Sequence, residues 1–321
     1  MSPRVIALSG GIGGAKLVLG LAQEVEGEDL MVIANTGDDF VHCGFHISPD
    51  IDTLLYTLAG LSDRERGWGL AGETWEFMAR LGRERPEDAW FQLGDKDLET
   101  HRLRTAALES GASLTGVTAE LARHFGVGTA ILPMSDDPVR TFVRTGGEST
   151  AGWLPFQEYF VKHRCEPVLH EVAYRGADQA APQPMLGALD ASRLEAVLIG
   201  PSNPFLSIDP ILSIPGLRAR LRDFGVPVVA VSPIVGGQAI KGPTAKIMRE
   251  LGMPVDVVSV GRHYRGLIDA LVIDEADRSR TPEIEALGLA VRVAPTVMVS
   301  LRDRVDLART CLRFAEDLAA T

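Results

Sequence analysis

Eight short apolar runs recur along this chain between segments of helical periodicity, and that alternation narrows the fold more than any other feature. They are VIAL (5–8), LMVIAN (30–35), TAILPM (129–134), AVLIG (196–200), VPVVAVS (226–232), DVVSVG (256–261), ALVID (270–274) and AVRVA (290–294). Strands that are apolar at successive positions are buried on both faces, and the intervening helices supply the cover. The pattern predicts an α/β fold, a parallel sheet with helices on both sides. Helices are expected over 14–25, 50–60, 115–125, 209–224, 243–252 and 305–319, with Thr115 and Asp209-Pro210 as start signals. The 321 residues suffice to bury a large core, which we read as one unit. Its core would be about 1–61, 113–137 and 179–321. Two stretches break the rhythm. Residues 62–112 are charged and mostly helical and hold Trp68, Trp75 and Trp90; 138–178 place a TGGES turn between the β-like runs TFVRT and EPVLHEVAYR. Both read as insertions that cap the ligand edge of the sheet.

Composition removes several classes of function. The net charge is −11 and no run of Lys and Arg occurs, which argues against binding to nucleic acid. Cys43, Cys165 and Cys311 are odd in number and form no CxxC pair, so neither a disulfide framework nor a zinc-thiolate site is expected. The N-terminus runs straight into a strand, and no apolar run approaches the roughly 20 residues that cross a bilayer. A cytoplasmic protein without a membrane partner is expected.

The strand ends then converge on chemistry. SGGIGG follows the first run, NTGDD the second, SDDP the third, PSNP the fourth and SPIVGG the fifth. In an open parallel sheet these turns share the carboxyl edge, where ligands bind. The first loop fits neither standard fingerprint. It lacks the GxxxxGK[ST] spacing, with Leu17 in place of the metal-binding hydroxyl, and Lys16 stands where GxGxxG needs its third glycine. Its physics still suits an anion, because glycines admit close approach and the following helix offers free N–H groups. A tight strand–helix turn with a surface lysine is the simpler alternative.

Four carboxylates follow within fifteen positions: Asp38, Asp39, Asp50 and Asp52. Capping of the next helix explains Asp50 and leaves Asp52 unexplained. Two like charges about 4 Å apart repel by about 4 kcal/mol at an effective dielectric of about 20. If the cluster faces a phosphate, a divalent cation such as Mg²⁺ is implied. Zinc at His42 and His46 is disfavoured, because Gly44 between them argues against a helix and no third histidine is near. Lys96, in GDKDLETHRLR with His101, Arg102 and Arg104, is the basic residue best placed for a ligand.

The motifs SGGIGGAK, NTGDD, ISPDIDTLLYTLAG, GDKDLETHRLR, LPMSDDPV, IGPSNPFLSIDPIL and VSPIVGG…KGP occur in this order along nearly the whole chain. In this the chain resembles the 2-phospho-L-lactate transferase family (CofD/FbiA) of coenzyme F-420 biosynthesis. The resemblance implies a Rossmann-like core with a smaller mixed subdomain, a homodimer and a requirement for Mg²⁺. It implies transfer of a phospho-lactyl, phosphoenolpyruvyl or phosphoglyceryl group from a guanosine diphospho donor to the ribityl hydroxyl of the deazaflavin Fo, with release of GMP. On this reading Gly10, Gly11, Gly13, Gly14 and Lys16, with Gly200, Ser202 and Asn203, hold the guanosine diphosphate. Asn35, Asp50, Ser135, Asp136 and Ser232 join the ligand site. Asp38, Asp39 and Asp52 hold the metal, with Asp38 or Asp52 as base, while Lys96 contacts Fo and Trp68 borders it. Replacing Asp38 or Asp52 by alanine is then expected to abolish transfer and spare the fold. The competing reading is a non-catalytic nucleotide-sugar-binding regulator of the YvcK group, which shares the glycine loop and an acidic turn but resembles this chain far less around ISPDIDT and GDKDLETH.

Overall fold

A computed structural model describes residues 2–63, 65–146 and 152–320. Seven strands make the central sheet: β1 (Val5–Ser9), β2 (Leu30–Ala34), β3 (Ala130–Pro133), β4 (Ala196–Ile199), β5 (Val228–Val231), β6 (Ala270–Ile273) and β7 (Ala290–Val293). All pair in parallel, in the order β7-β6-β5-β4-β1-β2-β3. Alternate residues of one strand enter opposite layers. Ile6 and Leu8 pack with Met31 and Ile33 on one face, while Val5 and Ala7 pack with Leu30 and Val32 on the other. This is why the strands read as unbroken apolar runs. The chain winds outward from β1 to β3, then returns beside β1 as β4 and winds the other way. The order reverses between β1 and β4, which makes that crevice the switch point where α/β sheets bind ligands.

Helix α1 (Gly11–Glu24) starts inside the glycine loop, three residues earlier than expected. It lies against the last helix, Leu301–Ala319, so closely that a Cβ on Gly20 would stand 2.1 Å from the Arg304 carbonyl oxygen. Helix α2 (Pro49–Leu58) follows the acidic turn. The first insertion holds the helix Glu76–Glu84 and helix α3 (Asp97–Glu109). The second holds a three-stranded antiparallel sheet of Gly152–Pro155, Arg140–Gly146 and Val168–Arg175. Of the TGGES turn, Gly147 to Ser149 lie outside the described residues. No helix of the described residues is long and apolar enough to cross a membrane.

Three expectations need correction. The run at 256–261 is the helix Val257–His263, not a strand; Asp256 caps it by accepting from the Ser259 N–H at 2.7 Å. A short helix buried on most sides has the same unbroken apolar composition as an interior strand. The helix expected over 209–224 is two, Asp209–Leu212 and Leu217–Asp223, parted at Pro215-Gly216 where Gly216 takes a φ of +77°. The helix Leu114–His124 is capped by Ser113, which accepts from the Gly116 N–H, and not by Thr115.

Candidate active site

The turns after β1 and β4 touch without intervening side chains. A Cβ on Gly13 would meet the Pro201 carbonyl oxygen at 2.4 Å, and one on Gly14 would meet Ser9 Oγ at 2.4 Å and Ser202 Oγ at 2.6 Å. The Ser202 hydroxyl accepts from the Gly10 N–H at 3.3 Å and donates to the Gly10 carbonyl at 2.7 Å. Gly200 packs beneath, against Gly14. The glycines thus serve contact between two loops at the switch point. Above them opens a cleft of about 610 Å³, lined among others by Gly10, Gly11, Gly13, Lys16, Asp38, Asp50, Asp52, Ser202, Asn203 and Ser232.

Both insertions wall this cleft. Arg66, Trp68, Phe91, Asp97 and His101 come from the first, and Phe156, Gln157 and Phe160 from the second. Trp68 is 40% exposed, with Arg66 stacked over it and Trp75. Phe156 and Phe160 stack at 5.3 Å between centroids, 18° from parallel.

Asp50 does not cap its own helix. Its carboxylate accepts from the Gly11 N–H at 2.7 Å and from Asn35 Nδ2 at 2.8 Å, and Asn35 Oδ1 accepts from the Gly37 N–H. One carboxylate therefore ties the loop after β1 to the loop after β2. Asp39 lies deeper, its Oδ2 accepting from the Ser48 hydroxyl at 2.7 Å. Asp38 Oδ1 and Asp39 Oδ1 are buried with no hydrogen-bond partner. Desolvation, joined by the charge of Asp50, raises the Asp38 carboxyl well above the usual range. Burial lifts Asp39 to about 7 against the pull of Arg140, and Asp50 to about 6 against the hydrogen bonds from Asn35 and Gly11.

These carboxyls hold protons in the fold that they release in the unfolded chain, whose value is 3.8. The folded state binds more protons across that window, so stability falls as pH rises through it. Unfolding by urea in the presence of a chelator should show a midpoint that declines from about pH 4 toward pH 7. A midpoint that climbs steadily to pH 7 would contradict this burial of charge.

Asp52 stands apart from the other three. Both its oxygens accept from Arg104, which is fully buried. Arg104 comes from α3, as do His101 and Asp97. His101 Nε2 lies 3.2 Å from Asp97 Oδ2, its Nδ1 lies 3.7 Å from Asp52 Oδ2, and the Tyr56 hydroxyl donates to Asp97 Oδ1. Asp52, Asp97 and His101 offer three ligand atoms within 4.8 Å of one another. Arg104 already supplies positive charge there, so Asp52 is an ion-pair partner as well as a member of this candidate ligand set.

The remaining expected residues divide. Lys16 lines the cleft and donates to the Met298 carbonyl at 2.8 Å; burial, then the charges of Arg304 and Lys241, lower its pKa. Asn203 Oδ1 caps the turn at Phe205 and Leu206, which leaves its buried Nδ2 without a partner at the cleft. Ser232 closes the turn to Ile234 and also lines the cleft. Lys96, Ser135 and Asp136 lie outside the lining, as do Gly14, Asn35, Asp39 and Gly200 described above. Lys96 donates to the Ala71 carbonyl, Ser135 donates to the Ala181 carbonyl, and Asp136 accepts from Thr115. Sequence reading assigns no role to Phe156 and Phe160, ranks Arg104 below Lys96 and holds Lys241 only within the KGP motif. A signal existed for Arg104: Asp97, His101 and Arg104 fall at i, i+4 and i+7, on one face of a helix.

The sequence profile of 2-phospho-L-lactate transferase CofD matches residues 5–292. The chain belongs to the CofD family. Membership makes it a transferase of coenzyme F-420 biosynthesis. The phosphoenolpyruvate transferase of Streptomyces griseus is 40% identical over 321 residues, covering 99% of this chain and 100% of that protein. The 2-phospho-L-lactate transferase of Methanosarcina mazei is 40% identical over 308 residues, covering 95% and 98%. Among solved structures, protein BH3568 of Bacillus halodurans, from the UPF0052 family, has a TM-score of 0.61 at 15% identity, covering 97% of this chain and 99% of that one. That likeness concerns the fold alone.

Proposed function

We propose that this CofD-family protein transfers a phosphorylated three-carbon acid, lactate or its enolpyruvyl or glyceryl counterpart, from a guanosine diphospho donor to the ribityl hydroxyl of Fo. GMP leaves and a phosphodiester forms. The observation that carries the reading is the meeting, in one cleft, of a glycine-loop helix start, Lys16 and the unpartnered Asn203 amide with buried carboxylates and aromatic walls. Donor phosphates suit the N–H groups at the start of α1. A flat deazaflavin suits Trp68 and the Phe156–Phe160 stack.

The acidic cluster fits a divalent cation, because two buried carboxylate oxygens lack partners and burial resists their charge. Asp38 and Asp39, with Asp50 adjoining, would hold Mg²⁺, which when bound would neutralise charge on the phosphoryl group. The chain's own part is positioning. The Gly10–Gly14 loop and Lys16 orient the diphosphate, and the insertions exclude water. The Asp38 carboxylate, made more basic by its burial, takes the proton of the attacking hydroxyl; such help is worth about 10²–10⁴ in rate. Mass spectrometry of products formed from Fo with each of the three donors tests the reading. The expected result is a phosphodiester of Fo and stoichiometric GMP in the presence of Mg²⁺. No such product from any of the three would overturn it.

A further inference from the structure

Among the described residues, three Lys or Arg side chains line the cleft: Lys16, Arg66 and Lys241. Arg66 is fully engaged. It donates twice to Asp63 Oδ2, at 3.0 and 2.8 Å, and once to the Leu70 carbonyl. Lys16 gives a hydrogen bond to Met298. Lys241 has no hydrogen bond or ion pair with any other described residue.

Lys241 is also presented in a defined way. It follows a two-stranded ribbon, Ile234–Val235 against Gln238–Ala239, whose turn is pinned where the Gly236 N–H donates to Asp277 Oδ2 at 2.9 Å. Its side chain is exposed and lines the cleft, as Ile12 of α1 does. A Cβ placed on Gly67 would stand 3.0 Å from Lys241 Nζ and 3.4 Å from Ile12 Cδ1, so the ammonium and the tip of that α1 side chain share one neighbour. Lys16, one turn further on, feels this charge. Two ammonium groups lining one cleft repel each other, and an anion between them would relieve that. The free helix N–H groups add positive potential at the same place.

We infer that Lys241 is a donor-binding residue that grips the diphosphate together with Lys16. The inference rests on the guanosine diphospho donor proposed above. The diphosphate is the densest negative charge the reaction brings to this cleft, whereas the acceptor hydroxyl is uncharged.

Calorimetric titration of GDP and of guanosine into wild-type protein, Lys241→Ala and Lys241→Arg tests it. A charge-assisted contact predicts GDP binding weakened about 10- to 100-fold in Lys241→Ala. Guanosine affinity should be unchanged, and Lys241→Arg should recover most of the loss. In turnover, KM for the donor should rise with kcat nearly constant, as expected for uniform binding. Wild-type protein that binds GDP no better than Lys241→Ala does would show a solvated surface lysine and overturn the inference alone. Wild-type protein that binds no GDP would overturn the parent reading and this inference with it.

Discussion

Replacing Asp52 by alanine should destabilise the protein by about 3–5 kcal/mol, because it strands a buried guanidinium without its partner. Arg104 is inaccessible to water, and Asp52 accepts from two of its nitrogens. Its other contacts, the His46 carbonyl at 3.5 Å and His101 Nδ1 at 3.4 Å, carry no full negative charge to replace the carboxylate. The loss should appear in urea unfolding as a lower midpoint at an unchanged slope. Removing both charges together, as Asp52→Leu with Arg104→Met, should recover most of it, since a well-packed apolar pair avoids the desolvation cost. A loss below about 1 kcal/mol in Asp52→Ala would match an exposed pair and contradict the burial described here. The motif alone suggested that this variant would keep its fold and lose only activity. Falling activity in Asp52→Ala therefore says nothing about a metal until folding has been measured.

Asp38→Asn should behave in the opposite manner. Its Oδ1 has no partner to lose, and its charge is opposed both by burial and by Asp50. Removing that charge should leave stability unchanged or raise it, most clearly near neutral pH, where the carboxylate is costly to keep ionised. On the proposed assignment the same change removes a metal ligand and the proton acceptor. Transfer should then fall by about 10²–10³ or more, the range seen when one preorganised electrostatic contact is deleted. Mg²⁺ binding followed by calorimetry should weaken in parallel. Retention of more than about a tenth of the wild-type rate, against that expected loss, would remove Asp38 from the reaction. A site that is less stable charged than neutral is a common sign of function held at the expense of stability.

How much of this was legible in advance depended on whether the signal was local. The sheet was legible because its strands are sealed on both faces and so are apolar at nearly every position. The same rule misread 256–261, where Val257, Val258 and Val260 are buried as helix residues and the one local clue was Asp256 at the start. Gly10 to Gly14 announced a special loop, yet half of their purpose, the approach of Pro201 and Ser202, depends on a segment nearly two hundred residues away. Asp50 was visible as an acidic residue at a helix start; its bonds to Gly11 and Asn35 arise only once three loops meet. Asp136 is visible in sequence as an acidic residue after a strand; its bonds to the first turn of a neighbouring helix, at Thr115, are not. Lys241 stands in the KGP motif, and only the fold shows that it lines the same cleft as the glycine loop.

The cleft has a floor and walls of different origin. The floor is backbone pressed on backbone at the crevice between β1 and β4, where even one added carbon at Gly13 or Gly14 has no room. Much of the walls consists of side chains on two excursions from the sheet, 62–112 and 138–178; the rest comes from the segments around Lys241 and Met298. On the proposed function, such a molecule is modular along its depth: drift in the excursions would retune which acceptor is admitted while the proposed phosphate cradle beneath stays fixed. Chimeras that exchange these excursions between relatives offer a direct route to new acceptors on an unchanged donor platform.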